Sequence, residues 1–175
     1  ASGEIGAYDT RILTLAALKG FLGRGTGDAV TYVNAPTIAD SRGMTVREQR
    51  NDDVAHQDYV NLVTLRSGAH NVSGTLTGRR REARIVLIDD HLSDVPPARF
   101  MLIVRNDDRP GVIGRVGTLL GDFGINIDNM DVGKTVKAGS AMMVIATATP
   151  TPPDVVERLR SIAGITEVIT VGSPR

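Results

Sequence analysis

The chain has no cysteine and no tryptophan, and its aromatic content is 3%. Without cysteine there is no disulfide, no thiolate nucleophile and no cysteine zinc site. With so few aromatic rings there is no stacking platform for single-stranded nucleic acid. Excess charge of either sign is also missing. Twenty basic residues balance twenty acidic ones, whereas a broad nucleic-acid or anionic membrane surface needs a basic surplus. No apolar run approaches the ~20 residues of a membrane span, and no signal peptide opens the chain. An intracellular, cytoplasmic protein is expected. An initiator methionine is absent too: ASGEIGAYD begins like the tail of a strand, so a piece of a longer polypeptide is expected.

Recognisable catalytic arrangements are equally scarce. His56, His70 and His91 stand apart, and none has a metal-ligand spacing. Asp89-Asp90-His91 reads as a hairpin turn rather than a cation site. There is no G-x-S-x-G elbow. The glycines of GVIGRVG run G-x-x-G-x-x-G, which is neither the dinucleotide fingerprint nor a Walker A loop. No active site is expected wholly within these 175 residues, and no catalytic residue, metal or cofactor is assigned to them.

What is present is an ordinary globular composition, 41% hydrophobic and 23% charged. DVPPARF (94–100) is the best boundary, because Pro96-Pro97 is stiff and lacks two amide donors. It divides the chain into residues 1–97 and 98–175. In the second part Phe100–Arg105 reads as a strand buried on both faces. Val112, Ile113, Val116, Leu119, Leu120 and Phe123 then fall on one face of a helix. Gly114, Gly117 and Gly121 would let that helix approach a sheet, and Gly124 would end it. Residues 125–133 and 140–147 read as strands, Thr151-Pro152-Pro153-Asp154 as a helix start with Thr151 as cap, and Ile165–Val171 as a last strand. The order β-α-β-β-α-β is ferredoxin-like, with both helices on one sheet face and the other face solvated or covered by a partner.

The first part predicts a helix over Asp9–Leu22, capped by Asp9 or Thr10, and a short helix within 34–43. Strands are expected at 44–49, 59–66, 72–77 and 83–88. The fold class is therefore α+β: an α/β first domain with a mainly antiparallel sheet, followed by the ferredoxin-like unit. RRREAR (79–84) places four arginines on a hairpin, either a solvated turn or an anion site.

One stretch concentrates binding chemistry. NDDRPGVIG (106–114) joins the strand to the helix and brings Asn106, Asp108 and the amides of Gly111, Val112 and Ile113 together. Free amides at a helix start attract a carboxylate, and nearby side-chain oxygens attract an ammonium. Asn126 opens the next strand, which is expected beside the first. A free amino acid would satisfy both halves of such a site; capping of the helix by Asn106 and Asp108 is the plainer alternative.

LIVRNDDRPGVIGRVGTLLGDFGINIDNMDVG resembles the ACT domain, a small amino-acid-sensing regulatory module. Together with NAPTIADSRG, SGTLTG and RIVLIDDHLSDVPP, it resembles the C-terminal half of the long bacterial D-3-phosphoglycerate dehydrogenase family, an intervening (allosteric substrate-binding) domain followed by an ACT domain. The resemblance covers essentially the whole chain. It implies a parent that oxidises 3-phosphoglycerate with NAD on the way to L-serine, the NAD site lying in catalytic domains of the same polypeptide and outside this chain. It implies homo-oligomers, dimer or tetramer, through paired ACT domains, with L-serine at the seam as feedback inhibitor. By position Asn106 and Asp108 would hold the ammonium and hydroxyl, the amides of Gly111, Val112 and Ile113 the carboxylate, and Asn126 would come from the partner subunit. Asn106 stands where well-known members carry His or Tyr. A second anion site is implied at Arg84, with Arg99 nearby, although Ala146 stands where such members have arginine. The same pairing of domains occurs in the small subunit of iron–sulfur L-serine dehydratase, which is the alternative family. A purely structural assembly module is the alternative role.

Overall fold

A computed structural model describes residues 1–23, 29–53, 59–134 and 140–172. Two compact units divide it, Ala1–Leu65 and Arg66–Arg175. Residues 66–97, read from sequence as the end of the first domain, therefore pack with the second unit.

In the first unit a short strand β1 (Ser2–Gly3) leads into a 3-10 turn, Glu4–Ala7, and then α1 (Arg11–Leu22). Thr10 takes the cap position, but its hydroxyl donates to Glu48 (2.6 Å) and the Asp9 carboxylate accepts the Arg11 amide instead (3.1 Å). Thr14 donates to the same Glu48 carboxylate at 2.6 Å, so this side chain pins the segment after the second helix to the start of α1. Those two hydroxyl donors hold the Glu48 carboxyl below its usual range. The second helix, α2 (Ala35–Ser41), buries Ala35 and Ala39 against Leu18 and Leu22. The strand expected at 44–49 does not form. Only Met44 packs on the apolar cluster; Arg47, Glu48, Gln49 and Arg50 are exposed, with no ladder partner among the described residues. β2 (Asn61–Ser67) runs across the division between the units and pairs antiparallel with β1, Ser2 opposite Leu62.

The second unit opens with an antiparallel meander, β3 (His70–Thr77), β4 (Glu82–Ile88) and β5 (His91–Val95). Gly78 and Arg81 take positive φ at the first turn, and Asp89 does so at the second, where the hairpin was expected. β5 itself was not expected. Its inward residues are His91, Ser93 and Val95, so its alternation is hidden in sequence by two polar side chains.

The βαββαβ order holds beyond it: β6 (Phe100–Asn106), α3 (Val112–Asp122), β7 (Ile127–Lys134), β8 (Ala141–Thr147), α4 (Pro153–Arg160) and β9 (Ile165–Gly172). The sheet order is β7-β8-β6-β9. All seven residues of β8 are buried. Met143 and Ile145 face the helices, joining Val112, Val116 and Leu120 of α3 and Val155, Val156 and Leu159 of α4. Met142 and Val144 face the other way. That second face is not left to solvent or a partner, as the sequence suggested: Ile88 and Val95 of the meander cover it, with Met101 from the sheet.

Two smaller expectations also change. A Cβ at Gly114, Gly117 or Gly121 would meet nothing within 4 Å, so these glycines do not bring α3 closer to the sheet. Pro152, not Thr151, caps α4, and the buried Thr151 hydroxyl has no partner among the described residues. Asp154 in the first turn and Arg158 and Arg160 in the last suit the helix dipole. Among the described residues no helix is long and apolar enough to cross a membrane.

Candidate functional site at the β6–α3 loop

β6 ends in Asn106 because its buried face requires it to turn inward; only 4% of the residue is exposed. Oriented to satisfy both neighbours, its amide N–H donates to the Ala141 carbonyl (3.2 Å) and its Oδ1 accepts the Asp108 amide (3.1 Å). An Asn oxygen reaching the amide two residues on is an Asx turn. It holds Asp108 at φ 50°, a left-handed conformation rare outside glycine. Asp107 turns the opposite way. Its amide donates to Gly164 O (2.9 Å), one carboxylate oxygen meets Arg109 (2.7 Å), and the other is buried without a hydrogen bond among the described residues. Gly164 makes that approach possible, since a Cβ there would lie 2.5 Å from the Asp107 carboxylate.

Gly111, at φ 85°, turns the chain into α3 as its N-cap. Neither Asn106 nor Asp108 caps that helix. Among the described residues, the amides of Gly111, Ile113 and Gly114 find no acceptor, while the Val112 amide reaches Arg109 O weakly (3.4 Å). Arg115 extends alongside: one guanidinium nitrogen donates to Ala163 O (3.0 Å) and the other lies 3.5 Å from where a Gly111 side chain would begin. The loop is thus fastened on one side to β8 by Asn106 and on the other to residues 163–164 by Asp107 and Arg115. Sequence reasoning missed Asp107, Arg115 and Gly164. Arg115 had a signal, because it lies one helical turn past Gly111; Gly164 had none beyond being a glycine after a helix.

The other expected residues lie elsewhere. β6 and β7 each run antiparallel to β8, with Asn106 and Lys134 both opposite Ala141 and Ile127 opposite Thr147. The two strands are therefore parallel and separated by β8, so β7 does not lie beside β6. Asn126, just before β7, is at the far end of the sheet from Asn106, about 20 Å away at the usual strand rise. It donates to Asp128 (2.9 Å) at an exposed position. Arg84 already sits between Glu82 (3.3 Å) and Asp94 (3.8 Å), and Arg99 lies over the Phe100 ring at 5.2 Å. No contact joins the two arginines among the described residues.

Among the described residues no group of three His, Asp or Glu side chains gathers as a metal site. His70 is exposed beside Asp89, His91 is buried at β5, and His56 lies outside the described residues.

A four-stranded βαββαβ sheet with both helices on one face, preceded by an α+β unit, places the chain among regulatory domain pairs of the ACT type. Residues 100–164 match the ACT domain, and residues 1–89 match the D-3-phosphoglycerate dehydrogenase intervening domain. The chain belongs to the D-3-phosphoglycerate dehydrogenase intervening-domain family, with an ACT domain behind it. A D-3-phosphoglycerate dehydrogenase of Synechocystis is 34% identical over 174 residues, 97% of this chain and 31% of that protein. One from Archaeoglobus fulgidus is 32% identical, covering 97% and 33%, and one from Mycobacterium tuberculosis is 33% identical, covering 87% and 30%. The chain therefore spans about a third of the length of these relatives.

Proposed function

We propose that this chain is the amino-acid-sensing and assembly region of a cytoplasmic D-3-phosphoglycerate dehydrogenase. Its ACT domain pairs with a second copy along β7 and takes L-serine at the seam, and serine there inhibits NAD-dependent oxidation of 3-phosphoglycerate by catalytic domains of the same polypeptide. NAD and 3-phosphoglycerate belong to those domains.

The observation that carries this reading is the separation of Asp108 from Asn126. β7 is an edge of its sheet, pairing with β8 alone among the described residues. Edge strands invite pairing with another chain. A two-fold axis would run the second copy's β7 antiparallel to the first, which swaps its ends. The partner's Asn126 then falls at the end of the sheet where Asp108 and the free amides of α3 lie. Residues that one chain holds apart come together in two. Asp108 meets the ligand's ammonium, the amides of Gly111, Ile113 and Gly114 its carboxylate, and Asn126 closes the site from across the seam. Ligand bridging both chains draws the pair into one arrangement, which is the differential contact that allosteric inhibition requires.

The test is a thermal-shift titration with L-serine, with the mass measured by light scattering. A dimer or larger assembly that L-serine stabilises, and that loses this response in both Asp108→Ala and Asn126→Ala, is the expected result. An unchanged response in both variants sinks the reading.

A further inference from the structure

The side chain of Asn106 is spent inside the protein. It is almost fully buried, its amide N–H goes to Ala141 O, and its oxygen takes the Asp108 amide. The remaining donor and acceptor capacity of a side-chain amide has no route to a ligand through so little exposed surface. Of the other polar side chains on the loop, Asp107 is paired with Arg109 and lodged against Gly164. Arg109 is exposed but engaged by Asp107, whereas Asp108 is exposed with no side-chain partner among the described residues, and a carboxylate there answers an ammonium.

We propose that Asn106 is a positioning residue that fixes Asp108 in its left-handed conformation, and that the site consequently reads the α-ammonium and α-carboxylate of a small amino acid without reading a side-chain hydroxyl. This inference rests on the amino-acid reading given above. Its consequence is that L-serine, L-alanine and glycine are ligands of one class. A site built to hydrogen-bond a hydroxyl rejects the analogue lacking it by about 10⁴-fold or more, whereas a site without such a partner discriminates only weakly.

The experiment is calorimetric titration of the intact chain with L-serine, L-alanine and glycine, repeated on Asn106→Ala. Affinities for serine and alanine within about tenfold are expected. Asn106→Ala should weaken all three by a common factor, because it releases Asp108 rather than a ligand contact. A serine preference well above tenfold in the unaltered chain overturns the inference while leaving the sensor reading in place, and it does not depend on the variant folding. Loss of serine binding alone in Asn106→Ala overturns it too. If none of the three amino acids binds, the sensor reading itself fails and this inference falls with it.

Discussion

The two faces of the ACT sheet are built differently. Under the helices lies a cluster of twelve buried apolar residues, drawn from β6, β8 and β9, α3, α4 and the turn after α3. Under the β4–β5 hairpin lie five. Polar groups supplement that smaller cluster. Arg105 on β6 pairs with Asp89 of the hairpin turn and, at 2.9 Å, with Glu167 of β9. The Asp94 amide donates to Asp131 on β7 at 3.2 Å, and Leu92 O packs against Gly133 so closely that any side chain there would collide. The helix face holds the domain together by burial. The hairpin face fixes a register, with less apolar area and more directional bonds.

That contrast sets the order of expected effects. Leu120→Ala on the helix face, where the side chain is fully buried, should destabilise by about 2–5 kcal/mol in urea unfolding. Val95→Ala on the hairpin face removes two methyl groups and should cost roughly 1–2 kcal/mol. Equal losses would erase the distinction between the faces.

The helix face is also the part that could be read from sequence. Val112, Val116 and Leu120 recur at helical spacing, and the seven apolar residues of β8 can only be a strand covered on both sides. The hairpin face could not be read, because its inward positions on β5 include His91 and Ser93, which no hydrophobic pattern marks. The same limit applied at the candidate site. Local spacing pointed to the loop, Asp108 and the amides. It could not show that Asn106 is buried against β8, since that depends on a residue 35 positions away by number, Ala141. It also misplaced β7 beside β6, because strand order is set by how the helices cross over the sheet and not by any one strand's residues.

Acid should weaken the hairpin face through Asp89. Burial alone would raise the Asp89 carboxyl, but the Asn71 amide (2.9 Å), His70 (3.2 Å) and the Arg105 guanidinium outweigh it and hold it below its ordinary value. A carboxylate with a depressed folded pKa contributes stability that is present above its unfolded pKa, about 3.9, and is lost as pH falls through the lower folded value. Asp89→Asn should therefore be less stable than the unaltered chain at pH 7, and the gap should close as pH drops below about 4. Urea midpoints at pH 7 and pH 3 measure this. A gap of constant size across that range would mean that the ion pair contributes nothing through its charge.

The smallest effect has the opposite sign. Ser93 is buried on β5, on the strand face it shares with His91 and Val95, and among the described residues its hydroxyl has no hydrogen-bond partner. A buried hydroxyl left unpaired carries a desolvation penalty of about 1–3 kcal/mol. Removing the oxygen relieves that penalty and leaves a methyl group, at the expense of a small void. The two terms oppose each other, and the penalty is the larger, so Ser93→Ala should stabilise by roughly 1 kcal/mol. For a unit of this size the corresponding rise in Tm is a few degrees. A fall in Tm would reveal that the hydroxyl is satisfied in solution by water held within the hairpin face. In that case the polar groups of this face form a hydrated seam, and its difference from the dry helix face is greater than the apolar clusters alone indicate.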